Sequence, residues 1–151
     1  MKKLISILIT AILFSMFLTA CSSGPKLGER FEDEVNEYEE FTMSLINADS
    51  ESITVEVLNT ANFEIETGNE NDCTIQKKKF GSWYTLAGAP GAITMEAYGI
   101  RPDVPFEINF NWKYRYGTLP AGHYRVVKAF SVDMGFGKRT NFFLATEFTI
   151  K

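Results

Sequence analysis

The chain has 151 residues, and its 15 Lys and Arg against 19 Asp and Glu give a formal net charge of -4. This length fits one domain with a short additional segment rather than two domains, and the charge balance argues against a nucleic-acid-binding surface. With two Cys and one His, the sequence predicts neither a disulfide framework nor a metal cluster.

Residues 1–20 have the pattern of a secretory signal peptide. Lys2 and Lys3 precede an apolar stretch over residues 4–17, and small residues lead up to Cys21. The tetrapeptide 18–21, Leu-Thr-Ala-Cys, resembles the lipobox of bacterial lipoproteins. This resemblance implies cleavage before Cys21, a diacylglyceryl thioether on its sulfur, and anchoring at the extracytoplasmic face of the cell membrane. The alternative is an uncleaved membrane anchor, for which the stretch is short.

Residues 21–40, which begin with the lipidated Cys21, are predicted to form an acidic stalk. Residues 21–52 carry nine acidic and two basic side chains, whereas residues 53–151 carry ten acidic and eleven basic ones. Anionic lipid repels such an acidic segment, so it should be solvated. Its apolar residues Phe31, Val35 and Tyr38 are spaced four and three apart, which allows a short helical turn, with disorder as the alternative.

From Phe41 onward, apolar and polar residues alternate with a period of two, the pattern of half-buried strands. Turn-forming residues separate the segments by about eight to twelve residues. The predicted strands cover 41–45, 53–57, 63–66, 73–80, 83–86, 93–97, 106–112, 124–132 and 144–150. Gly99 to Pro105 reads as a connection and Asp133 to Asn141 as a long hairpin loop. The spacing predicts an all-β antiparallel sandwich of seven to nine strands over residues 41–151.

The segment 119–130 organises this prediction. Leu119, Gly122 and Tyr124 place a turn just before a tyrosine that opens a β-branched run. This order is typical of a tyrosine corner, in which the hydroxyl bonds to backbone a few residues upstream. Lys128 shares the predicted core face of this strand, which indicates either a side chain that snorkels at the sheet margin or a bulge.

Three groups of residues together resemble a bacterial immunoglobulin-like domain family that is common in small lipoproteins. They are Gly81-Ser82-Trp83-Tyr84, Trp112 with Tyr116-Gly117, and the segment 119–128. The resemblance covers about residues 41–151 and implies a seven-stranded sandwich whose signature residues are structural. Ala121 and His123 depart from the commoner pattern of the corner. The family brings no defined activity, so the resemblance implies no catalytic residues and no cofactor.

Several polar groups have a structural interpretation that outweighs a catalytic one. His123 is expected at the surface of the corner, and the acidic pairs 33–34 and 39–40 are expected to be solvated. The run Lys77–Lys79 alternates between two faces and fits an exposed edge strand protected by lysine. Cys73 is expected as a half-buried strand residue rather than a reactive thiol.

An aromatic row and a loop are the candidate recognition elements. Trp112, Tyr114 and Tyr116 fall on one side if their segment is extended, which would suit sugar stacking, although core packing is the preferred interpretation. The loop between the last two strands is the better candidate, because sandwich loops carry binding on a rigid scaffold. Its apolar and cationic residues are Met134, Phe136, Lys138 and Arg139.

The predicted function is therefore binding without chemistry. We expect an envelope protein or a glycan as the partner, the membrane as the anchor through lipid on Cys21, and no nucleic acid. The alternatives are a carbohydrate or cell-wall binding module and a protease-inhibitor-like sandwich.

Overall fold

The computed structural model describes residues 24–69, 72–89, 96–133 and 138–151. Within these ranges the chain forms ten strands and one helical turn. They are β1 (Leu27–Arg30), β2 (Phe41–Ala48), β3 (Ser52–Asn59), β4 (Ile65–Gly68), β5 (Cys73–Lys79), β6 (Ser82–Leu86), β7 (Ala97–Ile100), β8 (Phe106–Asn111), α1 (Lys113–Tyr116), β9 (Gly122–Asp133) and β10 (Arg139–Ile150). The predicted all-β antiparallel sandwich is confirmed, with one strand more than the expected maximum.

The strands form two antiparallel sheets. The larger sheet has the order β1-β6-β5-β9-β4-β7, with β10 also paired to β9, and the smaller sheet has the order β2-β3-β8. β9 and β10 pair without interruption from Gly122 opposite Ile150 to Asp133 opposite Arg139. At about 3.3 Å per residue, these twelve residues span about 40 Å. We call the end at Gly122 the corner end and the end at Asp133 the loop end.

Period-two alternation places one face of each sheet in the core. Ile53 lies opposite Phe110 and Val55 opposite Ile108 in the β3–β8 ladder, and all four side chains are buried. Burial of each such side chain contributes about 1.5–3 kcal/mol. These strands lie where their sequence pattern predicts them.

Stacked aromatic rings join the two sheets at two levels. Near the loop end, the Phe142 ring lies 4.8 Å from that of Phe41 and 5.8 Å from that of Phe130. Near the corner end, the Phe148 ring stacks on Trp112 at 5.6 Å and on Tyr124 at 5.7 Å. Both stacks connect β9 and β10 with the smaller sheet or the residue that follows β8, so they hold the two layers together.

The described part of the expected stalk packs on the sandwich, which corrects that prediction. β1 pairs with β6, and the amide of Phe31 continues this edge by donating to Trp83. Asn36 then reaches the opposite edge of the sheet: its amide donates to the Phe143 carbonyl, and its side chain exchanges two hydrogen bonds with Ala145. We call residues 31–36 the strap.

The apolar residues of this segment serve packing rather than a helix. The Phe31 ring meets Phe143 edge-on at 5.7 Å, and the Tyr38 ring meets Phe142 at 5.5 Å. The acidic side chains that separate them are exposed, as expected. The spacing of these apolar residues, four and three apart, therefore does not mark one side of a helix; it places Phe31 and Tyr38 at contacts with the sandwich.

Lys128 corrects a second prediction, because it neither snorkels nor sits at a bulge. The residue is 1% exposed, the β9–β10 ladder runs past it without a shift in register, and the β5–β9 ladder is regular up to Lys128, which lies opposite Cys73. Its ammonium group donates to the carbonyl oxygens of Asn69 at 2.7 Å and Asp72 at 3.3 Å. These bonds replace water for the buried charge and tie the turn after β4 to the sheet.

Three further features differ from the prediction, one in strand order and two in strand boundaries. β5 lies between β6 and β9, so Lys77–Lys79 do not belong to an edge strand. Gly99 and Ile100 belong to β7 rather than to a connection, and Asp133 and Arg139 belong to the last two strands rather than to their loop. In the last two cases pairing with a neighbouring strand extends the ladder into residues of low strand propensity, since Gly99 lies opposite Glu66 and Asp133 opposite Arg139.

Candidate functional site

The tyrosine corner lies at the corner end and is built for stability. The Tyr124 side chain is 1% exposed, and its hydroxyl donates to the Pro120 carbonyl at 2.7 Å. Leu119 is buried beside it, with its amide bonded to Ser50. At Gly122 a Cβ would lie 3.0 Å from the Tyr124 ring, so a side chain there would push against the buried ring. Leu119, Gly122 and Tyr124 are thus engaged in packing and backbone bonds.

The predicted binding loop lies at the loop end, and the structure describes only part of it. Met134 and Phe136 lie outside the described residues, and Lys138 is exposed. Arg139 is the first residue of β10, and its Nη2 forms a 2.8 Å ion pair with Oε2 of Glu66. The interpretation of Arg139 as a loop-tip residue is therefore wrong, because its side chain extends across β9 to β4.

A groove of about 240 Å³ lies on the outer face of the larger sheet next to this ion pair. We call it the outer groove. Small residues of adjacent strands line it and leave it concave; they are Gly68, Ala97, Ala129 and Ser131. Its polar lining groups are Glu66, Asp72, Arg139 and Asn141. The Phe143 ring, which packs against the strap, lines it as well. The outer groove thus offers acidic, basic, amide and aromatic groups within one concave surface.

The outer groove is not predicted by the sequence pattern. Its lining residues come from β4, β7, β9 and β10, with Asp72 just before β5, and are spread from residue 66 to residue 143. Small residues at outward-facing positions of neighbouring strands would indicate such a groove, but the strand order is needed to know which strands are neighbours. Glu66, for example, lies opposite Ser131 on β9, and Asn141 lies opposite the same serine on β10.

A second cluster lies on the outer face nearer the corner end. The Arg125 guanidinium lies 4.6 Å from the Trp83 ring centroid and 5.5 Å from that of Phe31, and its Nε donates to Gln76 Oε1 at 2.6 Å. Burial lowers the pKa of Arg125, and the nearby Glu147 carboxylate raises it. The strap residue Phe31 thus helps to close this part of the outer face, and the cluster joins the strap to the sheet.

His123 occupies the surface position that the sequence predicts. Its Nε2 lies 2.8 Å from Oε2 of Glu147, and both side chains are about half exposed. The imidazole meets the Trp83 ring edge-on at 5.5 Å. His123 on β9 and Glu147 on β10 thus form a pair that is accessible to solvent.

The aromatic row proposed for sugar stacking does not form. Residues 113–116 form the helical turn α1, so Trp112, Tyr114 and Tyr116 point in different directions. Trp112 is fully buried with its Nε1 donating to the Ser50 carbonyl, whereas Tyr114 is 83% exposed. Burial raises the pKa of the Tyr116 hydroxyl. The extended conformation assumed for this segment is wrong, because the chain must turn here to leave β8 for the corner.

Cys73, for which a reactive thiol is the alternative interpretation, is a packed residue of the larger sheet. Cys73 is buried on β5 opposite Lys128, more deeply than expected. Among the described residues, His, Cys, Asp and Glu side chains form no group that could hold a metal ion. No helix in the described ranges is long and apolar enough to cross a membrane. Cys21 lies outside these ranges.

Comparison with known proteins places this arrangement in a family. A family model described as bacterial Ig-like domain matches residues 35–149, from the end of the strap into β10. No curated protein and no solved structure matches the chain.

Proposed function

The chain belongs to the bacterial Ig-like domain family, and we propose that it is a lipid-anchored binding domain on the extracytoplasmic face of the cell membrane. Domains of this family are generally binding or structural modules without catalysis. The lipobox-like tetrapeptide ending at Cys21 supports the anchor and the location.

The relative position of the two ends carries the proposal. Gly24 lies at the corner end, where a Cβ on it would come within 2.8 Å of Pro120. Cys21 is three residues earlier, and three extended residues reach at most about 11 Å. The lipid would therefore attach close to the corner end. The loop end, about 40 Å away along β9, would face away from the membrane.

The loop end would then present the binding surface to a protein of the cell envelope. Lys138 and the Glu66–Arg139 ion pair lie there beside the outer groove, and Met134 and Phe136 belong to the same connection. Aromatic residues, Met and Arg are enriched at protein interfaces relative to the rest of the protein surface. We therefore assign recognition to this loop together with the outer groove.

Cross-linking on intact cells followed by mass spectrometry tests the proposal. Replacing Phe136 and Arg139 with Ser should remove the cross-linked partner while changing stability by at most about 1 kcal/mol, because the ion pair of Arg139 is exposed. Lys113→Ser is the matched control, since it breaks a comparably exposed 2.9 Å ion pair with Glu51 at the corner end. A partner that is retained by the double variant, or lost equally in the control, would contradict the assignment.

The alternative functions have distinct outcomes. A carbohydrate module should pellet with purified cell wall and lose this property with Tyr114→Ala, but Tyr114 has lost the aromatic neighbours that a stacking row requires. A protease-inhibitor-like sandwich should block a protease at equimolar amounts. Either result would replace the protein-binding proposal.

A further inference from the structure

The turn between β5 and β6 carries an aromatic residue that the fold does not require. Lys79 pairs with Ser82, so Phe80 and Gly81 are the two central residues of a tight hairpin. Their φ angles are 52° and 79°, the conformation in which Asn-Gly is favoured. The Phe80 side chain is nevertheless 90% exposed. A bulky side chain at positive φ costs stability, and one that stays in water gains none from burial in return, which suggests a role outside folding.

A cationic cavity lies beside this turn. Its volume is about 250 Å³, and its lining includes Lys77, Lys79 and Tyr124. The ammonium group of Lys77 lies 5.1 Å from the Tyr124 ring centroid, and that of Lys79 lies 5.4 Å from the Phe80 ring centroid. Lys78 projects to the opposite face, over Trp83. Among the described residues that line the cavity, the two charged ones, Lys77 and Lys79, are both basic.

The N-terminal segment passes along the same cavity. Gly24, Pro25 and Leu27 form part of its lining. If the lipid is attached to Cys21, the backbone of that residue lies within about 11 Å of Gly24, and the glyceryl group follows one side chain further out. The headgroups of the surrounding lipids are then within reach of Lys77, Lys79 and Phe80.

We propose that the cavity and the β5–β6 turn dock on the headgroups of anionic phospholipids in the membrane that holds the anchor. Lys77 and Lys79 contact the headgroup phosphate, and Phe80 enters the interfacial layer. The docking rests on the proposed lipid anchor. Its consequence is a fixed orientation, in which the corner end touches the membrane and the outer groove stands away from it.

Anionic lipid fits all three features, namely the basic cavity, the exposed Phe80 and the neighbouring lipid anchor. Basic residues next to a membrane anchor each contribute about fivefold to association with an anionic surface. The proposed diacyl anchor holds the chain at the membrane by itself, so the basic patch adds a preferred orientation, and an exposed aromatic ring gains by leaving water at the interface. Free phosphate could use the two lysines, but it would leave Phe80 without a role.

Lysine acylation of the lipidated full chain tests the docking. The chain is added to vesicles of phosphatidylcholine mixed with phosphatidylglycerol, to vesicles of phosphatidylcholine alone, and to neutral detergent micelles with inorganic phosphate. Mass spectrometry then follows acylation at Lys79 and at Lys138, an exposed lysine near the loop end. We expect acylation of Lys79 to slow by about fivefold or more on the anionic vesicles only, with Lys138 unchanged.

Three outcomes would overturn the docking while the chain still sediments with vesicles. They are equal acylation of Lys79 under all conditions, equal protection of Lys138, and equal protection of Lys79 by inorganic phosphate, which would indicate a free-anion site. A lipobox chain that sediments with neither kind of vesicle would overturn the anchor itself and the docking with it.

Phe80→Asn separates the role of the ring from that of the fold. Asn suits the positive φ at this position, so the variant should fold with at least the stability of the parent chain. We expect it to weaken the protection of Lys79 on anionic vesicles. Full protection in this variant would overturn the role assigned to Phe80.

Discussion

A single hydroxyl group at the corner end illustrates how one residue contributes to this fold. The Tyr124 hydroxyl donates to the Pro120 carbonyl. Because Tyr124 is only 1% exposed, water cannot readily take the place of this hydrogen bond. Pro120 has no amide hydrogen and fixes its own φ, which shapes the turn before β9. The bond therefore closes the turn in the conformation from which the longest ladder begins.

Tyr124→Phe tests this contribution. The ring stays stacked on Phe148, but the Pro120 carbonyl loses its donor. We expect the free energy of unfolding to fall by about 1–3 kcal/mol, measured by urea denaturation. Tyr114→Phe, at an exposed position, should leave the midpoint unchanged. Equal stability of Tyr124→Phe and the parent chain would contradict the corner.

Asp49 gives a pH-dependent contribution at the β2–β3 turn. Its Oδ1 accepts hydrogen bonds from the amides of Glu51 at 2.7 Å and Ser52 at 2.8 Å. These bonds, with that of Glu51 the larger contribution, lower the pKa of Asp49 from its ordinary value of 3.8. Because the folded state binds the proton less tightly, the stabilisation is present above the unfolded-state pKa and is lost as the pH falls through the folded-state pKa.

Asp49→Asn should therefore change the pH dependence of stability. The Asn side chain keeps an oxygen acceptor but cannot titrate. We expect the parent chain to lose more stability than the variant as the pH falls from about 5 to about 2, measured by thermal unfolding over that range. Parallel pH profiles for the two chains would contradict this role of Asp49. The effect should be modest, since the carboxylate is exposed to solvent.

At the scale of elements, the strap connects the two edges of one sheet. β1 and Phe31 extend the β6 edge, and Asn36 satisfies the free backbone groups of β10 at Phe143 and Ala145. An open strand edge is a site for aggregation, and covering it is one way in which proteins prevent this. The strap therefore protects the sheet as well as crossing its face.

Asn36 is the residue on which this contact depends. Its φ is 57°, a region that Asn tolerates better than most residues. Asn36→Gly keeps the backbone conformation and removes the two side-chain bonds, so we expect a loss of about 1–3 kcal/mol. Asn36→Ala adds backbone strain and should lose more. Amide hydrogen exchange at Ala145, which donates to the Asn36 side chain, should accelerate in both variants. Unchanged exchange there would argue against the contact.

At the scale of the whole molecule, the two ends have different proposed tasks. The corner end carries the tyrosine corner, the cationic cavity and the start of the described chain, and the loop end carries Lys138 and the outer groove. A rigid two-layer core about 40 Å long separates them. The proposed division between attachment and recognition therefore depends on the rigidity of β9 and β10.

Cys21→Ala tests the attachment. Without the sulfur the proposed thioether cannot form, so we expect the variant to lose the diacylglyceryl mass and to partition into water in a detergent phase-separation assay, or to remain unprocessed. Cys73→Ala serves as the control for thiol chemistry elsewhere, because that residue is buried. A parent chain recovered with an unmodified Cys21 thiol would contradict the lipid anchor.

The class of fold and most of the strands follow from the local pattern of the sequence. Alternation of apolar and polar residues is a local property, and it places β3 and β8 where the structure has them. The order of Leu119, Gly122 and Tyr124 likewise predicts a turn before a long strand. The position of His123 at the surface follows from the same local pattern.

The surfaces of the molecule, in contrast, depend on how the strands are arranged in space. The outer groove, the burial of Lys128 and the interior place of β5 all depend on which strands are neighbours, and the sequence pattern does not carry that information. The strap is not predicted because its few apolar residues cannot form a core of their own, and its conformation depends on contacts with the sheet. The prediction of an aromatic row is wrong for the same reason. The chain has to turn between β8 and the corner, and it does so in the helical turn α1, which the local sequence pattern does not indicate.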